Sequence, residues 1–270
     1  VPALEILAHR MVWSLVFVLL LLVIRRDLVN LWRNLHKWRI VLTYTASALL
    51  LGLNWFLYIW AVNSGHVVES SLGYFINPLV NVVLGVLFLR ERLRPMQIAA
   101  IGLAAAGVLY LTFALGTLPW IALVLALTFG TYGLIRKTAA LESLQGLSLE
   151  TLILFPIALS YLLTLQVQGH GAFAHASWQT TLLLAGAGIV TATPLLLFAA
   201  GARQISMTTL GLLQYIAPTL QFLIGVFMYG ESVPASRLIG FIIIWVALAL
   251  YSLESYLRLR RTTQLSATSA

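Results

Sequence analysis

Residues 95–135, PMQIAAIGLAAAGVLYLTFALGTLPWIALVLALTFGTYGLI, run for 41 residues without an aspartate, glutamate, lysine, arginine or histidine. A membrane-spanning helix needs about 20 consecutive apolar residues, so this stretch is long enough for two such helices. Near its middle lies the sequence Gly116-Thr117-Leu118-Pro119, where we predict that the chain folds back. The stretch indicates a protein of the bilayer, whose function depends on the polar groups inside the membrane.

The composition of the whole chain agrees with a membrane protein. Apolar residues make up 61% of the 270 residues and charged residues 9%, whereas a soluble domain carries about 25% charged residues. The chain has no cysteine, which excludes disulfides and cysteine-based metal sites. We expect a single membrane bundle that needs no cofactor. The formal net charge of +8 does not indicate a nucleic-acid partner, because the positive charges lie between the spans.

Apolar runs between charged residues and Gly or Pro breaks define nine predicted spans. The spans cover residues 5–24, 40–62, 68–89, 96–115, 119–135, 147–167, 178–200, 206–229 and 237–256. Their connections are short, which favours antiparallel helices in a bundle over a barrel. The predicted fold class is therefore an all-α polytopic membrane protein.

The basic residues predict the orientation of these spans. Alternate connections hold 14 of the 16 lysine and arginine residues, and only Arg10 and Arg237 lie on the other side. These connections contain Arg25, Arg26, Arg33, Lys37, Arg39, Arg90, Arg92, Arg94, Arg136, Lys137, Arg203, Arg258, Arg260 and Arg261. Because basic connections stay in the cytoplasm, we expect a cytoplasmic C-terminus and an outer Val1. An outer start indicates one further span upstream of Val1, and a cleaved signal peptide is the competing explanation.

The connection between spans one and two, residues 25–39, has an apolar face surrounded by basic residues. The face consists of Leu28, Leu31, Trp32, Leu35 and Trp38. Two interpretations stay open for it, a helix on the cytoplasmic lipid surface or an ordinary basic loop.

The two halves of the chain repeat a pattern at a separation of about 140 residues. The matching positions are Ile76 and Ile216, Pro78 and Pro218, Glu91 and Glu231, and Pro95 and Pro234. One repeat holds five spans, and this odd number turns the second copy upside down in the membrane. Inverted repeats are a signature of secondary transporters. We predict that residues 1–115 hold the remainder of the first repeat and residues 116–270 the second repeat with a cytoplasmic tail.

Several runs of sequence resemble the RarD group, which belongs to the EamA branch of the drug/metabolite transporter superfamily. These runs are EILAHR at 5–10, NWFLYIWAVN at 54–63, ESSLGYFINPL at 69–79, RERL at 90–93 and LQYIAPT at 213–219. The resemblance implies ten helices in two inverted five-helix halves, in a bacterial inner membrane. The first helix of the family, which helps to line the cavity, is absent from this sequence. RarD proteins are often called chloramphenicol-sensitivity proteins, but the resemblance does not establish a substrate.

Polar residues recur on single helical faces within the spans. Tyr74, Asn77 and Asn81 share one face of span three at i, i+3 and i+7. Polar residues inside a membrane usually face a partner or a water-filled cavity, so we predict a central substrate cavity in which amides hydrogen-bond and aromatic rings stack. The alternative is that the amides only join helices. The predicted cavity residues are Asn54, Trp55, Tyr58, Tyr74, Asn77, Asn81, Gln214, Tyr215 and Gln221.

Two prolines lie in the middle of predicted spans at matching positions of the repeat. Pro78 and Pro218 each remove one helical hydrogen bond. They are candidate hinges for the switch of access between the two sides of the membrane, and a static kink is the alternative.

Three ionisable residues are candidates for an ion or anion site. Arg10 could bind an anionic substrate or pair with Glu5 or Glu69, and the alternative is that it extends to the outer interface. Glu69 and Glu150 lie near span ends, close to a membrane surface. They are candidates for proton coupling, because a carboxyl group near a low dielectric can titrate near neutral pH. No pair of histidines has metal-ligand spacing on a helix, so we predict no metal site.

Three classes of function compete. We favour a secondary transporter, a permease or exporter that moves a small organic metabolite or drug by alternating access. The alternative is a non-transporting membrane scaffold or assembly protein. An enzyme is disfavoured, because the sequence has no HExxH, GxSxG, paired-aspartate or Walker motif. The expected partners are a small-molecule substrate and the lipid bilayer. Proton coupling, the direction of transport and the oligomeric state stay open.

Overall fold

The computed structural model describes residues 1–116, 118–229 and 235–268, and its regular secondary structure in these ranges is helical throughout. The predicted all-α fold class is confirmed. Thr117 of the predicted turn, and Glu231 and Pro234 of the predicted repeat, lie outside the described residues. The helices are α1 (Ala3–Ile24), α2 (Leu28–Leu35), α3 (Trp38–Asn63), α4 (Val67–Leu89), α5 (Pro95–Leu115), α6 (Trp120–Thr138), α7 (Ser143–Val167), α8 (Trp178–Gln204), α9 (Met207–Gln214), α10 (Ile216–Tyr229) and α11 (Ala235–Thr268).

Nine segments of the described chain are long and apolar enough to cross a membrane, as the sequence predicts. Two boundaries differ in a way that matters for function. Helix α6 continues through Thr138, so Arg136 and Lys137 lie on a helix and not in a connection. Helix α7 begins at Ser143, four residues before the predicted start of its span. Charged residues therefore extend further into the helical bundle than the apolar pattern indicates.

The eighth predicted span is two helices. Helix α9 ends at Gln214 and α10 begins at Ile216, so the break lies at Tyr215. Pro218 has no backbone N–H to donate to the carbonyl group of Gln214, which is four residues earlier, so one helical hydrogen bond is missing next to the break. In contrast, α4 continues without interruption through Pro78. The two prolines predicted as hinges thus have different local effects.

The chain divides into two compact units, Val1–Gly65 with Thr131–Ile205 and His66–Gly130 with Ser206–Ala270. The boundary after Gly130 falls inside α6. In unit 1, α1 packs against α7 and α8, and α3 packs against α7. In unit 2, α5 packs against α11 and α4 packs against α9. Each unit combines helices from both predicted repeats, and the repeat boundaries themselves stay a prediction.

Basic side chains fasten the ends of α6 and α8 in unit 1. Nζ of Lys137 donates to the carbonyl oxygens of Ala202 and Ile205 at the end of α8. Arg203 in turn donates to the carbonyl oxygens of Ala139 and Leu141, which follow α6. Carbonyl groups at a helix end lack intrahelical partners and attract cations. These basic residues therefore stabilise helix ends.

A carboxylate fixes the start of α9 in unit 2. Glu91 follows α4 and accepts hydrogen bonds from the backbone nitrogens of Met207 and Thr208, at 2.6 and 3.0 Å, and from Oγ1 of Thr208, at 2.8 Å. A negative charge at a helix N-terminus binds unpaired N–H groups and is favoured by the helix dipole. Glu91 therefore holds α9 against the end of α4.

The amphipathic connection between the first two spans contains a helix, α2, so the interpretation of a plain loop is wrong for residues 28–35. Leu31 is buried, whereas the side chain of Trp32 is 66% exposed. The placement of α2 on the lipid surface stays a prediction.

Candidate functional site

Three amide side chains meet between α4 and α9 in unit 2. Nδ2 of Asn77 and Nδ2 of Asn81 both donate to Oε1 of Gln214, at 2.5 and 2.8 Å. The two asparagines are four residues apart and therefore lie on one face of α4, and both are buried. We call Asn77, Asn81 and Gln214 the amide cluster.

Glycines allow the helices to approach each other at the amide cluster. A Cβ on Gly211 would lie 2.6 Å from the carbonyl oxygen of Pro78, so the backbone of α9 lies directly against α4. On the other side, a Cβ on Gly130 of α6 would lie 3.5 Å from Oδ1 of Asn77. The cluster is thus enclosed by three helices of unit 2.

The amide cluster has hydrogen-bonding groups to spare. Oδ1 of Asn77, Oδ1 of Asn81 and Nε2 of Gln214 are buried and bond to no described residue. Each amide can both donate and accept, so these atoms offer two acceptors and one donor group. A buried polar group without a partner costs about 1–3 kcal/mol. A water molecule or a bound solute would remove this cost by supplying the missing partners.

The other predicted cavity residues of unit 2 are arranged differently. Tyr215 is fully buried, and its Oη donates to the carbonyl oxygen of Phe75 at 3.1 Å. This bond fastens the break between α9 and α10 to α4. Tyr74 is 38% exposed, and Gln221 is exposed. The structure therefore brings Asn77, Asn81 and Gln214 together and leaves Tyr74 and Gln221 outside their hydrogen-bonded group.

In unit 1, Arg10 is held between α3 and α8. Its Cζ lies 5.2 Å from the ring centroid of Trp55, which is the range of a cation–π interaction. Its Nε donates to Oγ1 of Thr191 at 2.8 Å. Asn54 is partly exposed and Tyr58 exposed on the same helix as Trp55. Arg10, Trp55 and Thr191 thus form one polar and aromatic group in unit 1.

Two of the acidic side chains near the predicted ion sites bind backbone nitrogens. Glu5 accepts from the nitrogen of Ala172 at 2.6 Å. Glu69 is buried and accepts from the nitrogen of Ile121 at 2.9 Å, in the first turn of α6. Both contacts satisfy N–H groups that would otherwise lack partners.

Glu150 lies deep inside unit 1, and its distance from the membrane surface stays a prediction. Its side chain is 0% exposed and accepts from Oγ of Ser47 at 2.5 Å and from Oη of Tyr132 at 3.5 Å. Nη1 of Arg136 lies 3.5 Å from Oε1 of Glu150. Arg136 lies in the last turn of α6 and not in the connection after it, and this pairing buries it. Its place on the cytoplasmic side stays a prediction. We call Ser47, Tyr132, Arg136 and Glu150 the carboxylate cluster.

The backbone of α7 makes room for the buried arginine. A Cβ on Gly146 would overlap Nη1 of Arg136 and lie 2.6 Å from Cε1 of Tyr44. Sequence reasoning missed Ser47, Tyr132 and Arg136 as site residues. The available signal was a basic residue directly after an apolar run together with a glutamate inside another run, but the sequence does not show that the two meet.

A cavity of about 490 Å³ lies in unit 2 beside the connection between α4 and α5. Its lining includes Arg94, Thr209 and Tyr251. The hydroxyl groups of Thr209 and Tyr251 bond each other at 3.0 Å, and Arg94 is paired with Glu254 at 2.7 Å. Thr209 and Tyr251 thus satisfy each other, whereas Oε2 of Glu254 is buried and bonds to no described residue.

Comparisons with known proteins agree on one family. Residues 1–113 match the profile of the EamA-like transporter family. The chain is 48% identical over 255 residues to the uncharacterized transporter YojE of Bacillus subtilis, covering 93% of this chain and 85% of that protein. It is 46% identical to Protein RarD of Escherichia coli, covering 98% and 89%. It is 35% identical to the chloramphenicol-sensitive protein RarD of Pseudomonas aeruginosa, covering 96% and 87%.

The fold also resembles a solved structure. One protein crystal structure superposes with a TM-score of 0.67, covering 94% of this chain and 88% of that chain. The two sequences are 21% identical, so this likeness concerns the fold alone.

Proposed function

Because this chain belongs to the RarD group of the EamA-like transporter family, we propose that it is a secondary transporter that moves a small organic metabolite or drug by alternating access. The chain is a multi-pass membrane transporter by its family, and nine segments of its described residues are long and apolar enough to cross a membrane. The substrate class, the mechanism and the inner bacterial membrane as its location are parts of the proposal.

The observation that carries the proposal is the amide cluster. Asn77 and Asn81 retain buried acceptors and Gln214 retains a buried donor. A substrate with a donor and an acceptor close together, such as an amino acid or an amide-bearing drug, matches these atoms. In this proposal Asn77 and Asn81 accept from the substrate, and Gln214 donates to it. Tyr74 and Gln221 in unit 2, and Asn54, Trp55 and Tyr58 in unit 1, stay candidates for further substrate contacts.

The break at Tyr215 supports a hinge next to this site. Helix α9 is held at its start by Glu91 and along its length by the contact of Gly211 with Pro78. Helix α9 ends directly after Gln214, and the backbone of Tyr215 stays in the right-handed helical region before α10 begins. Hinges of moving domains commonly lie at helix ends, and broken helices form the sites of many transporters. We propose that α10 moves relative to α9 at Tyr215 and Pro218, which changes the access to Gln214.

Solute exchange in liposomes tests this function. Purified protein is reconstituted, and exchange is followed with radiolabelled phenylalanine, glutamine and chloramphenicol as probes. Chloramphenicol is included because it carries an amide and hydroxyl groups and because one relative is named for sensitivity to it. We expect protein-dependent exchange of at least one probe. If none exchanges faster than in protein-free liposomes, the proposal loses its support and the scaffold alternative gains.

A further inference from the structure

Unit 1 buries a pair of opposite charges that the proposed substrate site does not use. The side chains of Arg136 and Glu150 are 1% and 0% exposed. Moving two charges out of water is expensive, and apolar residues in their place are often as stable or more stable. An ionisable residue within a membrane-spanning segment is therefore first explained by function. Both residues lie on such segments, α6 and α7.

The contacts of Arg136 differ from those of a tight structural ion pair. A strong arginine–carboxylate pair is often bidentate, with two parallel hydrogen bonds. Here Nη2 of Arg136 donates to the carbonyl oxygen of Ser143 at 2.9 Å, and Cζ lies 5.5 Å from the ring centroid of Tyr44. Nε and Nη1 donate no hydrogen bond to a described residue. Arg136 thus has two contacts that do not depend on the charge of Glu150.

The hydrogen-bond partners of Glu150 can reverse their roles. Ser47 and Tyr132 reach different oxygens of the carboxylate through hydroxyl groups. A hydroxyl group donates to a carboxylate, and after rotation it accepts from the protonated acid. Both protonation states of Glu150 therefore find partners among the same side chains.

Among the described residues, the cation that lies within 4.0 Å of the Glu150 carboxylate is Arg136. Glu5 lies towards the other end of α7, where it binds Ala172 beyond the helix end. The titratable and charged groups facing this part of unit 1 are Tyr44 on α3, Tyr132 and Arg136 on α6, Arg203 on α8 and Asp27 before α2. The charged and titratable residues of α1, which also packs against α7, are Glu5, His9 and Arg10, and their printed contacts lie elsewhere in unit 1.

We propose that Glu150 is a proton-binding site that couples transport to proton movement, with Arg136 as its counter-ion. One proton adds to the carboxylate of Glu150, which then donates to a neighbouring hydroxyl group. Arg136 keeps its contacts with Ser143 and Tyr44 in that state. The proton is the ligand that we propose for this site. This inference rests on the proposed transport function.

Infrared difference spectroscopy tests proton binding without a substrate. Purified protein in liposomes is compared in acidic and alkaline buffer, and the carbonyl band of a protonated carboxyl group is recorded. We expect a band in the wild type on acidification that Glu150→Gln loses and Glu69→Gln keeps. Glu69 is the matched control because it is also a buried glutamate of a membrane segment. The proposal is overturned if the wild type shows no such band, or if Glu150→Gln keeps the band of the wild type.

Two transport measurements separate this inference from the proposed function. The first is exchange of phenylalanine, glutamine or chloramphenicol without a pH difference, and the second is accumulation of the same probe driven by an imposed pH difference. We expect the wild type to show both and Glu150→Gln to lose accumulation while it still exchanges. If Glu150→Gln exchanges the probe and also accumulates it as the wild type does, the proton-coupling inference is contradicted and the transport function is not. Absence of exchange in the wild type contradicts the transport function, and the infrared result then still decides whether Glu150 binds a proton.

A double variant guards against misfolding. Removing one charge of a buried pair leaves the other uncompensated, whereas neutralising both relieves this cost. If Glu150→Gln does not fold, Arg136→Gln with Glu150→Gln replaces it in both experiments. The expected result is the same, with exchange present and both the infrared band and the pH-driven accumulation lost. Retention of the band or of the accumulation in the folded double variant overturns the proposal.

Discussion

Gly211 packs so closely against Pro78 that a Cβ on residue 211 would lie 2.6 Å from the carbonyl oxygen of residue 78. This contact sets the distance between α9 and α4. Gln214 lies three residues further along α9 and Asn81 three residues further along α4, so the same contact aligns the amide cluster.

Gly211→Ala is expected to destabilise the protein. The backbone oxygen of Pro78 cannot move aside as a flexible side chain would, and overpacking of this kind costs about 1–3 kcal/mol. Thermal unfolding of the purified protein in detergent measures the change. Gly186→Ala is the matched control, because a Cβ there meets nothing within 4 Å inside helix α8. Alanine favours a helix over glycine, so the control should be neutral or stabilising. Equal losses in both variants would contradict the packing argument.

Glu91→Gln is expected to loosen the start of α9. The side chain accepts three hydrogen bonds from Met207 and Thr208, and a capping interaction contributes about 0.5–2 kcal/mol. Hydrogen exchange at the amides of Met207 and Thr208 should accelerate, and thermal stability should fall. Glu142→Gln is the control, because Glu142 precedes α7 without a side-chain capping bond. Unchanged exchange at Met207 in the Glu91 variant would show that the cap contributes little.

Some of this arrangement can be predicted from the sequence, and some cannot. The nine spans follow from long apolar runs, and the common face of Asn77 and Asn81 follows from helical spacing. These features depend on local periodicity, which a sequence displays directly. Gln214 is predicted to line the same cavity, but the sequence does not show that its Oε1 accepts from both asparagines.

Contacts between distant segments explain what the sequence does not reveal. Arg136 follows an apolar run and therefore resembles a loop residue, but Glu150 and Ser143 on another segment bury it. Tyr215 is predicted to face a cavity, yet its hydroxyl group binds the carbonyl oxygen of Phe75. The guanidinium group of Arg136 and the hydroxyl group of Tyr215 are each paired with a group on another segment, whose position depends on the tertiary fold.

The C-terminus is expected in the cytoplasm, because basic residues concentrate in the connections on its side. Green fluorescent protein fused after Ala270 should fluoresce, and alkaline phosphatase fused there should be inactive. Fusions after Gly116, between α5 and α6, should show the opposite pair of results. Phosphatase activity after Ala270 would contradict the orientation of all the spans.

The central claim is that the amide cluster binds the transported solute. If Asn77 and Gln214 bind substrate, Asn77→Ala and Gln214→Ala should lower exchange, with a loss of about threefold to tenfold for one hydrogen bond of about 1 kcal/mol. The folded amount in the membrane should change little. Gln179→Ala, which removes an exposed amide on α8, is the control and should behave as the wild type.

The most direct measurement is therefore the exchange rate per folded molecule, with folded protein counted by size-exclusion chromatography of the detergent extract. The account predicts that this rate falls in Asn77→Ala and Gln214→Ala and stays unchanged in Gln179→Ala. A wild-type rate per folded molecule in both cluster variants, with a lower amount of folded protein, would contradict substrate binding and leave helix packing as the role of these amides.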